Sequence, residues 1–169
     1  MRIKVSNSDL QKFVGNLRES IEELTDRNQL SKLGEFLVEK IRIRTRLGSG
    51  VTNNLDNKSR LNSLSEKYVL LRKKFRGLGE LSSLTTPTKS NLTLSGSMLD
   101  SLKVKNIDRN SITIGADGFD RNGISNEDKT EYQEDMGRIY LRLSIQEVKQ
   151  ARIFWLRNFS DLLKNKKLV

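Results

Sequence analysis

The spacing of apolar residues changes once along the chain, and the change falls within residues 91–102, Asn-Leu-Thr-Leu-Ser-Gly-Ser-Met-Leu-Asp-Ser-Leu. Upstream, apolar residues recur at helical spacing; downstream, they alternate as in strands. Leu92 and Leu94 alternate with Thr93 and Ser95, Gly96 breaks the run, and Met98, Leu99 and Leu102 supply about one helical turn. Val104 resumes a strand. The stretch reads as a strand, a glycine pivot and a single turn, with Leu94, Gly96, Met98, Leu99 and Leu102 as its structural residues rather than a binding site.

Before that boundary the spacing predicts three helices. Residues 8–24 carry the apolar stripe Leu10, Phe13, Val14, Leu17, Ile21 and Leu24, with a capping-box spacing at Ser8 and Gln11. Gly15 lies inside it, either permitting close approach of another backbone or marking nothing. A turn at residues 25–28 leads to a second helix running to about Arg46, with Asp26 and Gln29 at capping spacing and Leu30, Leu33, Leu37 and Ile41 on one face. Its end is basic, with Lys40, Arg42, Arg44 and Arg46; cations there favour the negative end of the helix dipole and also admit phosphate or acidic partners. Residues 47–60 lack a period and read as a loop. A third helix begins at a box formed by Ser63 and Glu66, buries Leu64, Tyr68, Leu71 and Phe75, and turns Lys67, Arg72, Lys73, Lys74 and Arg76 outward.

After the boundary, residues 103–107 and 111–116 read as a hairpin. Residues 117–130 are polar and read as a flexible protrusion; Asp117, Asp120, Glu127 and Asp128 do not match the spacing of a calcium loop. Residues 138–143 alternate as a strand. Ser144 and Glu147 form a further capping box, opening a last helix that reaches about Lys164 with Val148, Trp155, Phe159 and Leu162 on one face.

Composition narrows the chemistry. The 169 residues contain no Cys and no His, which removes thiolate chemistry, disulfides, and the commonest general base and metal ligand. Asp117, Asp120, Glu131, Glu134 and Asp135 are not paired at a spacing that selects acid/base work. Neither a catalytic, a metal nor a cofactor site is expected. The net charge of +10 admits nucleic acid, acidic protein or anionic membrane as partners. No apolar run is long enough to span a membrane, and the N-terminus has no apolar signal region.

The order of segments resembles the virion morphogenesis and tail-completion proteins of tailed bacteriophages. The residues that carry the resemblance are Leu61-Asn62-Ser63-Leu64-Ser65-Glu66-Lys67-Tyr68 with Arg72-Lys73-Lys74, the run Ser95-Gly96-Ser97-Met98-Leu99-Asp100-Ser101-Leu102, the strand end Ile112-Thr113-Ile114-Gly115, residues 132–137, and Arg138-Ile139-Tyr140-Leu141-Arg142-Leu143-Ser144. The chain departs from that pattern in lacking its histidine before Gly137 and its prolines, and Tyr140 stands where Phe is typical. The resemblance implies an α+β fold, with a small curved antiparallel β-sheet packed with long N-terminal and C-terminal helices. The expected organisation is one domain over 1–169, helical over about 8–76, with the sheet and last helix over about 91–164.

The resemblance further implies a non-enzymatic homo-oligomer, a ring that is usually sixfold. It would sit in the virion neck, after assembly in the host cytoplasm. Its neighbours would be portal-side connector proteins and tail terminator or tail-tube proteins, with genomic DNA a possible contact in the lumen and no membrane partner. Arg42, Arg44, Arg46, Arg72, Lys73, Lys74, Arg76, Asp117 and Asp120 are the candidate interface. The alternative is a basic nucleic-acid-binding module.

Overall fold

A computed structural model describes residues 7–24, 26–51, 58–79, 83, 85–93, 96–108 and 111–165. Leu94 and Ser95, the expected turn residues Thr25, Arg109 and Asn110, the first six residues and the basic tail beyond Asn165 lie outside the described residues.

The class is α+β. The elements in chain order are α1 (Asn7–Leu24), α2 (Arg27–Arg46), β1 (Ser49–Val51), β2 (Lys58–Arg60), α3 (Glu66–Gly77), α4 (Ser97–Asp100), β3 (Lys103–Ile107), β4 (Ile112–Gly115), α5 (Asn126–Asp135) and α6 (Ile145–Asn165). The strands form two separate antiparallel pairs, β1 with β2 and β3 with β4, rather than one sheet. β3 carries a bulge between Val104 and Asn106. The first pair corrects the loop expected over 47–60. Three-residue strands are too short to show a period, so alternation does not reveal them.

α2 is the central element. Both strand pairs and α6 pack against it. The core gathers Val38 and Ile41 of α2, Met98 and Leu99 of α4, Leu102, Ala116 and Tyr140. α6 adds Phe154, stacked on Phe36 at 4.8 Å between ring centroids. Of the face expected for α6, Trp155, Phe159 and Leu162 are half-buried, whereas Val148 is exposed and Glu147 is buried in its place at the first turn.

Close packing on the hairpin is carried by Gly34, which the sequence reading passed over. A Cβ there would lie 2.5 Å from Cγ2 of Val104 and 3.1 Å from Cγ2 of Ile112. Gly15, by contrast, faces open space. The two glycines therefore respond oppositely to alanine. Gly15→Ala is expected to stabilise by up to about 1 kcal/mol through helix propensity. Gly34→Ala meets overpacking of about 1–3 kcal/mol, which outweighs the same gain. Equilibrium urea unfolding of both variants checks the pair of signs.

Helix starts follow side-chain caps. Asp26 caps α2 through Asn28 N–H, as expected. Ser65, not Ser63, caps α3 by accepting from Tyr68 N–H. α1 starts at Asn7, one residue before Ser8. Ser144 and Glu147 form a complete box: Glu147 Oε2 accepts from Ser144 N–H at 2.7 Å and from its hydroxyl at 2.8 Å, while Ser144 Oγ accepts from Glu147 N–H at 3.3 Å.

Residues 138–143, read from alternation as a strand, form no ladder with any of the described strands. Ile139 and Tyr140 are both buried, so neighbouring side chains on opposite sides are covered at once. Ile139 C=O accepts from Val51 N–H at 2.9 Å. The next carbonyls receive arginine side-chain donors, described below. Residues 117–130, read as a flexible protrusion, are ordered instead: 117–125 form a turn held by Asp120, with an isolated bridge between Phe119 and Ser125, and 126–130 are the first half of α5.

Candidate functional site

The basic end of α2 is used inside the fold. Successive side chains two apart on a helix diverge, whereas those four apart share a face. Arg42 and Arg46 accordingly reach one way and Arg44 the other. Arg42 donates to the carbonyls of Leu99 at 3.0 Å, Asp100 at 2.9 Å and Leu102, which satisfies the C-terminal end of α4. Arg46 pairs with the Asp100 carboxylate. Arg44, only 2% exposed, pairs with Glu147 and donates to the carbonyls of Tyr140 and Arg142. A guanidinium presents several donors in a fixed fork, which suits a backbone segment that lacks a ladder. Burial draws the Arg44 pKa down, and Glu147 opposes that shift.

Arg72 was expected on the outer face of the third helix and is instead 2% exposed. It donates to Lys89 C=O at 2.8 Å and Thr85 Oγ at 2.9 Å. Thr85 Oγ donates in turn to Asn91 Oδ1 at 2.7 Å, and Asn91 Nδ2 donates to Arg46 C=O at 3.1 Å. This chain ties α3, residues 85–91 and α2 together. The Lys89 carbonyl and the Thr85 hydroxyl thus hold the guanidinium inward. Leu71, expected in the core, turns outward as a result.

Arg44 and Arg72 thus leave the candidate interface as buried structural residues. Arg42 and Arg46 are only partly exposed and are engaged with α4. Lys73, Lys74 and Arg76 stand exposed on α3. Asp117 pairs with Lys103, whose hydrogen bond holds its pKa below the usual carboxylate range.

Asp120 is pushed down to about 2, first by the Lys129 hydrogen bond and then by the N–H of Ile124 and of Asn122. A depressed pKa stabilises the fold above the ordinary carboxylate pKa, and that contribution is lost as pH falls through the folded value. Asp120→Asn is therefore expected to flatten part of the loss of stability between about pH 4 and pH 2. Urea midpoints measured at pH 7 and across that interval test it; identical pH profiles for variant and parent would count against the turn.

The described apolar residues of the pivot lie in the core. Met98, Leu99 and Leu102 are buried, and Gly96 caps α4 at φ 89°. The strand expected before Gly96 is absent from its described part: Leu92 has φ 52°, a left-handed conformation that ends an extended run. Tyr140 closes the core from the opposite side. Its hydroxyl hydrogen-bonds Thr130 Oγ at 2.7 Å, and burial pushes its pKa up to about 12.

Between α3 and α5 runs a groove of about 730 Å³. Tyr68, Phe75, Leu92 and Met98 supply apolar lining, and Arg121, Lys129 and Arg138 supply cations. Asp120 is the carboxylate among the lining residues, and Lys129 engages it. Among the described residues, no group of three or more His, Cys, Asp or Glu side chains is arranged to hold a metal. No described helix is long and apolar enough to cross a membrane.

Known proteins supply no relative: no family model, no curated protein and no solved structure matches the chain.

Proposed function

We propose that the chain is a non-enzymatic structural subunit of a tailed-phage neck, forming a homo-oligomeric ring that joins the head connector to the tail. The observation that carries this reading is the apolar surface left on its long helices. Phe13, Val14 and Ile21 of α1 are exposed, as are Ile145, Val148, Ile153 and Leu156 of α6. Scattered exposed apolar residues are ordinary, but several on two helices that pack together suit a chain completed by neighbours. The motif order over residues 61–144 supports the specific setting, and the α+β fold agrees with it.

Sedimentation velocity and electron microscopy of the purified chain are expected to reveal closed rings that co-assemble with connector or tail-tube components. A chain that stays monomeric at high concentration and binds neither would overturn the proposal.

A nucleic-acid-binding module is the second reading, favoured by the exposed cations Lys67, Lys73, Lys74 and Arg76 on α3. Its signature is duplex binding that weakens steeply between about 50 and 200 mM salt.

A further inference from the structure

α3 and α5 carry matched stripes of opposite charge. On α3, Lys67, Leu70, Leu71 and Lys74 follow the spacing i, i+3, i+4, i+7. On α5, Asp128, Glu131, Tyr132 and Asp135 follow the same spacing. Each stripe therefore puts like charges about 10 Å apart along a helix axis, with Leu70 and Leu71 between them on α3, and Tyr132 beside a third carboxylate, Glu131, between them on α5. Leu70 is 63% exposed and Tyr132 is 60% exposed.

These charges are not consumed within the subunit. Among the described residues, Lys67 and Lys74 enter no ion pair, and neither do Asp128, Glu131 and Asp135. Their neighbours differ: Glu127 is paired with Lys105, and Lys129 with Asp120.

We propose that the α3 stripe of one copy docks on the α5 stripe of the next. Antiparallel helices would set Lys67 opposite Asp135 and Lys74 opposite Asp128, with Leu70 and Leu71 against Tyr132. Opposite charges fix the register, and the apolar residues between them lose water. Two different surfaces of one chain make a head-to-tail contact, which repeats from copy to copy and closes into a ring when the rotation permits. The inference deepens the ring reading and rests on it only for closure. Duplex DNA explains the observations less well, since phosphates have no use for exposed leucines and leave the acidic stripe unmatched.

The test uses full-length chains carrying Lys67→Glu with Lys74→Glu, or Asp128→Lys with Asp135→Lys, each checked for folding by circular dichroism. Each variant alone is expected to self-associate at least about tenfold more weakly than the parent. Mixed together, they are expected to co-assemble in alternating 1:1 order by light scattering, because the two intact stripes pair at one contact and the two reversed stripes at the next. Combining all four reversals is expected to restore assembly. Reversals that leave assembly at the parental level overturn the pairing while leaving a ring intact, and so does a folded mixture that stays monomeric. Assembly at the parental level with lost duplex binding in the lysine variant also overturns it, assigning α3 to nucleic acid. Alternating co-assembly of the variants with only open chains from the parent would keep the pairing and remove the ring. A parent that is monomeric throughout removes both.

Discussion

Arg44→Ala is expected to cost about 3–5 kcal/mol of folding free energy. The side chain is the cationic partner of Glu147, which is 3% exposed, and it supplies donors to the carbonyls of Tyr140 and Arg142. Removing it leaves a buried carboxylate without its cation and two carbonyls without those donors. The capping box remains, but the donors from Ser144 compensate only part of the charge. Arg44→Lys is expected to fall between parent and alanine, because an ammonium keeps the charge and loses the fork. Glu147→Gln isolates the charge, since the amide oxygen still accepts from Ser144. Equilibrium urea unfolding measures all three. The loss should persist in high salt, as a buried pair is screened far less than a surface pair. A cost under about 1 kcal/mol for Arg44→Ala would show that the pair contributes little beyond its own desolvation.

Gly96→Val should impair folding of the whole subunit. The backbone there has φ 89°, and holding a non-glycine residue in such a region costs up to about 3 kcal/mol. A Cβ would also sit 3.0 Å from Asp100 Oδ2. That carboxylate is engaged by Arg46, so moving it disturbs the ion pair as well. Gly96→Ala should be milder, because alanine lacks the branched carbons. Thermal melting is the decisive measurement. If Gly96→Val melted like the parent and only failed to assemble, the segment would be an interface rather than a pivot.

The hairpin and the helices other than α5 were legible because each has a period and a punctuation of its own; α5, with no apolar stripe, begins inside the stretch read as a flexible protrusion. The cap of the last helix was legible to the atom, since Ser144 and Glu147 satisfy a local rule. What stayed illegible is non-local. Arg44 and Arg72 carry the signature of solvated helix faces, and only distant carbonyls explain why they turn inward. Gly34 has no local signature either; its partner, Val104, is far away in sequence. The strand reading of residues 138–143 failed for a related reason. Alternation reports side chains, whereas a strand also needs a neighbouring ladder, and here Arg44 supplies donors to two of the carbonyls. At the candidate interface, spacing found the exposed α3 cations but could not distinguish them from the arginines already committed to the fold.

The three arginines at the C-terminal end of α2 also impose a timetable on synthesis. Arg42 waits for a carbonyl 57 residues later, and Arg44 for a carboxylate 103 residues later. A ribosome therefore releases α2 well before its partners exist, and the first helices emerge with their cations still hydrated. Native docking of this centre waits until residue 147 has cleared the exit tunnel. Until then the nascent chain offers cations and apolar stripes together, a combination that favours chaperone contact or premature association with other unfinished copies.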